Sequence, residues 1–494
     1  MKIRFNKVIG IILSILILFS ALVACGSDKT ESKIDGDITA SETAVTVENS
    51  EESSVIDYFE GLPENNYNDY EFRFLVRNMD RWMTDIAVFE VNGEIINDAV
   101  YERTLNISEK YGLVFKLIKS SNDNYETDGM NSIIAGDDAY DVIAAHPRAA
   151  AVYGNAKLCL DWNSDIPYLS LDNEWWDQDC RANLSINHKL YTMTGDLSWC
   201  SMGAANAMLF NKVLFDKYSL KAPYQDVLDS KWTFDKFEEL VKNCTADLNG
   251  DGIIDYQNDQ LGYVTHKWVG PVQSLYVAGE RDMTKDENDM PVLSMYNETS
   301  QKVFDWFFGI LDSDYAWCQT DGNSWEDGFT NVFMEGRSLF IDLNMSDINK
   351  MREMDDDFGI IPWPKKDENS DYCTNVDACT NLFIIPITNS DTERTGIVLE
   401  TMCRIGADKI IPAYYELVLQ TKYTRDRESV DMLDIIKKAR VFDIGYYNAE
   451  LGGQFANQFA DFAGNKNRDL ASWYNKNESK VLANMDKITS NYMD

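Results

Sequence analysis

The sequence predicts an α/β protein built as two lobes. Its 494 residues exceed the roughly 250–300 at which a single hydrophobic core stops growing. Strand-like and helix-like apolar patterns alternate along the first third of the body. The composition, 45% hydrophobic and 26% charged, is that of a chain with a buried core.

Residues 71–77 (Glu-Phe-Arg-Phe-Leu-Val-Arg) alternate and then run apolar, as a half-buried strand does. Ile96, Val100, Ile107 and Tyr111 recur on one helical face, and Gly112 stands where a left-handed cap ends the helix. Residues 113–118 read as a second strand, 128–135 as a helix closed by Gly136, and 141–145 as a third strand. This βαβαβ order predicts a parallel sheet with right-handed crossovers and a ligand at the carboxyl ends of its strands, so the loops from Asn78 and His146 are the ones to watch. After residues 191–196, a second α/β region is expected. It has strands at 207–210, 261–265, 338–343, 358–361 and 382–385, a helix capped by Thr233, and another presenting Phe304, Phe307, Phe308 and Leu311. Ser324 with Asp327 has the spacing of a capping box for a helix ending near Gly336. The last third reads as mainly helical, with Pro412 at a first helical position and Val430, Leu433 and Ile436 forming an inward stripe that leaves Lys437 and Lys438 in solvent.

Ahead of the body, Lys2, Arg4 and Lys7 precede an apolar run over residues 8–23, the layout of a secretory signal. It ends in Leu22-Val23-Ala24-Cys25, which resembles a bacterial lipobox; cleavage after residue 24 would leave Cys25 as the lipidated first residue. Residues 25–66, rich in Ser, Thr, Glu and Asp, are expected to be a flexible tether. Asp and Glu number 82 against 45 Lys and Arg, a net charge of -37, which repels phosphate backbones and excludes nucleic acid as a partner. Eight further cysteines permit disulfides, Cys373 with Cys379 being near in sequence, and equally permit buried free thiols.

No HExxH, GxSxG, Walker or GxGxxG motif is present, and three scattered histidines leave no sequence signature of catalysis. A pair of carboxylates for glycoside hydrolysis is not excluded by sequence. Asp247, Asn249, Asp251, Ile253 and Asp255, around Gly250 and Gly252, have the spacing of a calcium loop of the EF-hand or dockerin type. Asn258 stands where the bidentate Glu belongs, and an Asx-rich turn is the alternative. Calcium, if bound, would be structural, and no other cofactor is expected. Trp82, Trp199, Trp268 and Trp363 fall at predicted strand ends or crossings, where an indole suits stacking on a sugar ring. Asp80, Asp196, Asn344 and Asp377 could bind its hydroxyls. Each of these tryptophans has a buried core position as its alternative reading, and Trp232, Trp306 and Trp325 are assigned to the core outright.

Lys189-Leu190-Tyr191 leads to Leu209-Phe210-Asn211-Lys212 with Leu214-Phe215. Residues 329–336 precede the strand at Ser338, Phe358-Gly359-Ile360-Ile361-Pro362 follows, and Leu382-Phe383-Ile384-Ile385-Pro386 precedes a helix at 392–406. In this order, and with the lipobox, the chain resembles the extracellular solute-binding proteins of bacterial ABC importers, the group that includes maltose-binding protein, over about residues 70–490. The resemblance implies a periplasmic-binding-protein-like fold with a hinge and an interlobe ligand cleft. It divides the chain into a signal peptide (1–24), a lipidated linker (25–66), lobe 1 (67–193 and 377–410), lobe 2 (194–376) and a helical segment mainly with lobe 2 (411–494). It implies a lipid-anchored monomer at the outer face of the cell membrane that passes an oligosaccharide to an ABC permease and is not an enzyme. The acidity keeps a cationic peptide or polyamine open as solute, and a surface glycosidase is the third reading.

Overall fold

The computed structural model describes residues 56–120, 125–321, 328–419, 427–452 and 455–493. The signal segment, Cys25, most of the linker, the Ser324/Asp327 capping box and Trp325 lie outside them. Every element below belongs to one compact unit, Asp57–Asp494.

The expected linker ends earlier than predicted. Tyr58 donates to Asp408 at 2.5 Å, the Phe59 ring meets Tyr111 edge-on at 5.7 Å, and Tyr67 N–H bonds the Tyr111 carbonyl at 2.7 Å. These three aromatic residues supply the apolar surface that the preceding Ser- and Glu-rich stretch lacks.

The first sheet contains β1 (Tyr70–Arg77), β2 (Leu113–Ser120) and β3 (Val142–Ala145), all parallel, with β1 in the centre. Phe72, Phe74, Leu75 and Val76 are all buried, because helices cover both faces, as a parallel sheet requires. Helix Ile95–Tyr111 buries the expected Ile96, Val100, Ile107 and Tyr111, and Gly112 ends it with φ 59°. The same face also buries Arg103, whose guanidinium donates to the carbonyls of Asp85 and Ile86 at 2.9 Å and of Leu197 at 2.5 Å. Burial pushes this arginine down to about 10.

The second sheet is built from β4 (Asn206–Asn211) and β5 (Leu261–His266), then, after a small hairpin of β6 (Met283–Lys285) and β7 (Pro291–Leu293), from β8 (Ala316–Gln319), β9 (Ser338–Asn344) and β10 (Phe358–Ile361), in the order β10-β4-β9-β5-β8. It is mixed: β5 runs parallel to β8 and β9, whereas β4 is antiparallel to β9 and β10. Period-two alternation sends Met208, Phe210, Tyr263, Phe340 and Ile361 into one apolar cluster, and Ala207, Leu209, Val264, Ile341, Phe358 and Ile360 into another.

The chain joins the sheets twice. Met193 and Phe383 exchange backbone hydrogen bonds at 3.1 and 2.8 Å, and Asp377 N–H reaches the Ala204 carbonyl at 2.9 Å. The return run holds β11 (Thr374–Asn375) and β12 (Leu382–Ile384); β12 closes the first sheet antiparallel to β3, and β11 pairs with β13 (Arg440–Val441). Pro412 does not begin a helix. Helix Thr392–Ile405 continues through a wide π turn, Gly406–Ile410, into Ile411–Leu419, and the π turn accommodates the N–H that proline lacks. Gly406 is required there, since a Cβ would lie 1.9 Å from the Asp196 carbonyl oxygen. In helix Arg427–Lys438, Met432, Leu433 and Ile436 point inward while Val430 is 37% exposed, and Lys437 meets Asp196 at 3.2 Å rather than facing solvent alone. The eight body cysteines are unpaired, Cys373 and Cys379 included. No helix among the described residues is long and apolar enough to cross a membrane.

Candidate functional site

β1 ends at Arg77, and the chain turns at once into the short helix Asp80–Ile86, which the sequence reading took for a loop. The Arg77 guanidinium lies 3.7 Å over the Trp82 ring and donates to Asn381 Oδ1 at 2.7 Å and to the Thr380 carbonyl. Trp82 Nε1 donates to the Cys379 carbonyl at 3.0 Å. Asn344, at the carboxyl end of β9, brings its Nδ2 to 3.6 Å from Cys379 Sγ. Asp377 accepts from Cys379 N–H at 2.8 Å and from Tyr446 Oη at 3.0 Å. Trp82 from the helix after β1, Asn344 from the second sheet and Asp377 from the crossing thus meet around Cys379, whose thiol burial holds well above its ordinary value.

Four more of the expected residues lie elsewhere, and one sits at the edge. Asp80 is exposed in the first turn of the helix that carries Trp82. Trp199 stacks on Tyr414 at 5.7 Å with the Arg81 guanidinium 5.9 Å from its ring. Trp268 follows β5, 36% exposed, with Lys267 5.8 Å over its ring. Asp196 is buried against Lys437, and burial raises its pKa. Trp363 is 1% exposed, its ring set against Tyr263 and Phe307 and its N–H on Asn206 Oδ1 at 2.5 Å. Its stacking surface is therefore covered by core side chains, and it leaves the site.

Sequence reasoning missed Asp85. Its carboxylate accepts from Ser198 Oγ at 2.6 Å, Asn381 Nδ2 at 2.8 Å and Cys200 N–H at 3.1 Å, tying the helix after β1 to both crossings. Burial raises its pKa, and those three donors oppose the rise. Another buried carboxyl, Asp342 within β9, is pushed up to about 7 by burial, with Thr265 and Tyr263 on β5 limiting the rise. No sequence pattern separates such carboxylates from the many at the surface.

In the Asp247 loop, Gly250 and Gly252 take φ 77° and 81°, and Asp247 accepts from their N–H groups at 2.6 and 2.8 Å. Asn249, Asp251 and Asp255 likewise accept from backbone N–H groups two residues on. The loop is a chain of Asx turns, and among the described residues no group of three His, Cys, Asp or Glu side chains stands close enough together to hold a metal. A hollow of about 580 Å³ lies at Asn163, Gln178, Arg181 and Asp289, and a cavity of about 30 Å³ at Pro147, Tyr191 and Tyr447. None of the expected site residues lines either one.

No protein-family model matches the sequence, and no curated protein matches it. Solved structures do match in shape. The cyclic alpha-maltosyl-1,6-maltose binding protein from Arthrobacter globiformis is 13% identical, with a TM-score of 0.55 over 86% of this chain and 98% of that one. An ABC substrate-binding protein from Listeria monocytogenes in complex with cycloalternan is 12% identical, with a TM-score of 0.52 over 85% and 98%. UgpB from Mycobacterium tuberculosis in complex with glycerophosphocholine is 12% identical, with a TM-score of 0.54 over 84% and 98%. The chain has the two-lobe α/β fold of ABC substrate-binding proteins.

Proposed function

We propose that this chain is an extracellular substrate-binding protein, not an enzyme, that captures an oligosaccharide and delivers it to an ABC permease. The observation that carries the reading is the meeting of Trp82 from the helix just after β1, Asn344 from the end of β9 and Asp377 from the crossing. Ligands of open α/β sheets bind at such ends, and closure of two lobes about crossing segments is the expected response to a solute. Two of the structural neighbours are described by their binding of cyclic oligosaccharides. The apolar N-terminal run and Leu22-Val23-Ala24-Cys25 support export and a lipid anchor on Cys25.

A thermal-shift screen of the protein against neutral and charged oligosaccharides tests this, with product analysis of every hit. A stabilising sugar recovered intact is the expected result; a cleaved one transfers the assignment to a glycosidase. Trp82→Ala is expected to weaken sugar binding roughly tenfold, and Trp82→Phe by less, because a ring face is retained. Titration calorimetry with unchanged affinity for Trp82→Ala would remove the indole from the site.

Capture of a cationic solute is the second reading. It draws on the net charge of -37 and on the choline-bearing ligand of UgpB. Binding of spermidine or a lysine-rich peptide, with no response to sugars, would favour it.

Calcium in the Asp247 loop is a separate proposal, supported by the spacing of its oxygen-bearing side chains around two glycines with positive φ. A chelator is then expected to lower the melting temperature, and re-addition of calcium to restore it. An unchanged melting curve leaves the loop as an Asx turn.

A further inference from the structure

The geometry points to an oxyanion subsite at the lobe junction, formed by Arg81 with Trp199, Ser346 and Tyr414, that takes a carboxylate or phosphate group carried by a saccharide. This deepens the solute-binding reading and rests on it. The four side chains come from four elements: helix Asp80–Ile86, helix Trp199–Gly203, the 3-10 turn Met345–Glu353 and helix Ile411–Leu419. Three of them converge over Gly203. The position that a Cβ would take there lies 3.4 Å from Tyr414 Oη, 3.4 Å from Ser346 Cβ and 3.6 Å from Arg81 Nη2.

Arg81 Nε, Trp199 Nε1, Ser346 Oγ and Tyr414 Oη are each buried without a hydrogen-bond partner among the described residues. Buried polar atoms are almost always paired, so four at one junction call for a common partner. Guanidinium and indole N–H groups only donate, and both hydroxyls can donate. The missing partner is therefore an acceptor with several lone pairs.

Charge specifies it further. In a chain of net charge -37, the junction holds two guanidiniums, Arg77 and Arg81. Among the described residues their polar contacts are Asn381, the Thr380 carbonyl, Cys379 and Cys200, and neither makes an ion pair there. The nearby carboxylates are already engaged. Asp85 accepts from Ser198, Asn381 and Cys200, and Asp347, whose charge also favours the Arg81 guanidinium from beyond ion-pair distance, pairs with Lys350 at 3.3 Å. The Cys200 and Cys379 thiols are held neutral by burial. An oxyanion supplies both the acceptor atoms and the countercharge, and arginine is the side chain best shaped to grip one.

The test is calorimetry of the full protein at matched ionic strength with two pairs of probes: trigalacturonate against its methyl ester, and glucose 6-phosphate against glucose. The charged member of at least one pair is expected to bind roughly tenfold or more tighter than its neutral partner. The pair that discriminates identifies the oxyanion as carboxylate or phosphate. Arg81→Gln is expected to abolish the preference and Ser346→Ala to reduce it. Should Arg81→Gln fail to fold, Arg81→Lys serves instead, since it keeps the charge but loses the fork and should lower the preference. Neutral sugars that bind as tightly as charged ones overturn the subsite and leave the oligosaccharide reading intact. A preference that survives in Arg81→Gln, or in Arg81→Lys and Ser346→Ala together, also overturns the subsite. Absence of binding by any saccharide overturns both readings.

Discussion

Trp363→Ala is expected to lower the free energy of unfolding by about 3–5 kcal/mol, the range for removing a large aromatic from a packed interior. The indole is 1% exposed, lies 6.2 Å from both the Tyr263 and Phe307 rings, and fills the end of the second sheet's aromatic cluster. Its N–H is the partner of Asn206 Oδ1 at 2.5 Å, so the truncation also strands a buried acceptor beside Asn206 Nδ2, which already lacks a partner. Denaturant titration followed by tryptophan fluorescence measures the loss. A change below about 1 kcal/mol would mean that the ring is not the packed core element described.

Asp85→Ala is the second substitution with a large expected effect, about 3 kcal/mol or more. One carboxylate gathers Ser198 from the first crossing, Asn381 from the return crossing and the Cys200 N–H. Removing it leaves three buried donors unpaired and takes a countercharge away from Arg103, which is fully buried among carbonyl groups. Because both crossings lose a common anchor, solute-induced closure should weaken along with stability. Ser198→Ala, which removes one donor, is expected to cost only about 1 kcal/mol. Equal melting curves for wild type and Asp85→Ala would sink this account.

The first lobe was legible because its signals are local. Apolar spacing marks the helix with Ile96, Val100, Ile107 and Tyr111, and Gly112 and Gly136 adopt the left-handed conformation that ends each helix. In the second sheet the strands at 206–211, 261–266, 338–344 and 358–361 were visible, but the edge strand Ala316–Gln319 was missed, the strand at 382–384 belongs to the first sheet instead, and the pairing was hidden: continuous apolar runs buried on both faces do not reveal whether a neighbour is parallel or antiparallel. Pro412 misled because a π turn absorbed it within a long helix. Of the expected site residues, Trp82, Asn344 and Asp377 converge, since strand ends can be located from sequence. Trp363 looked equivalent at that level, and only the approach of Tyr263 and Phe307 from other elements distinguishes it. Asp85 and Arg81 escaped notice because what sets them apart is burial, the three donors gathered on Asp85 and the unpartnered Nε of Arg81, which no spacing encodes.

The antiparallel edge strand Leu382–Ile384 has a consequence for how the molecule is made. Its partner, Val142–Ala145, leaves the ribosome before any of the second sheet, so an emerging chain carries an open strand edge until most of its length has been synthesised. Pairing across so long a loop is slow, and the native state must wait for it. A chain interrupted before residue 382 would keep that edge exposed and be prone to aggregate. Delayed completion of this kind suits a polypeptide that must be threaded through a translocation channel while still unfolded, as the proposed export requires.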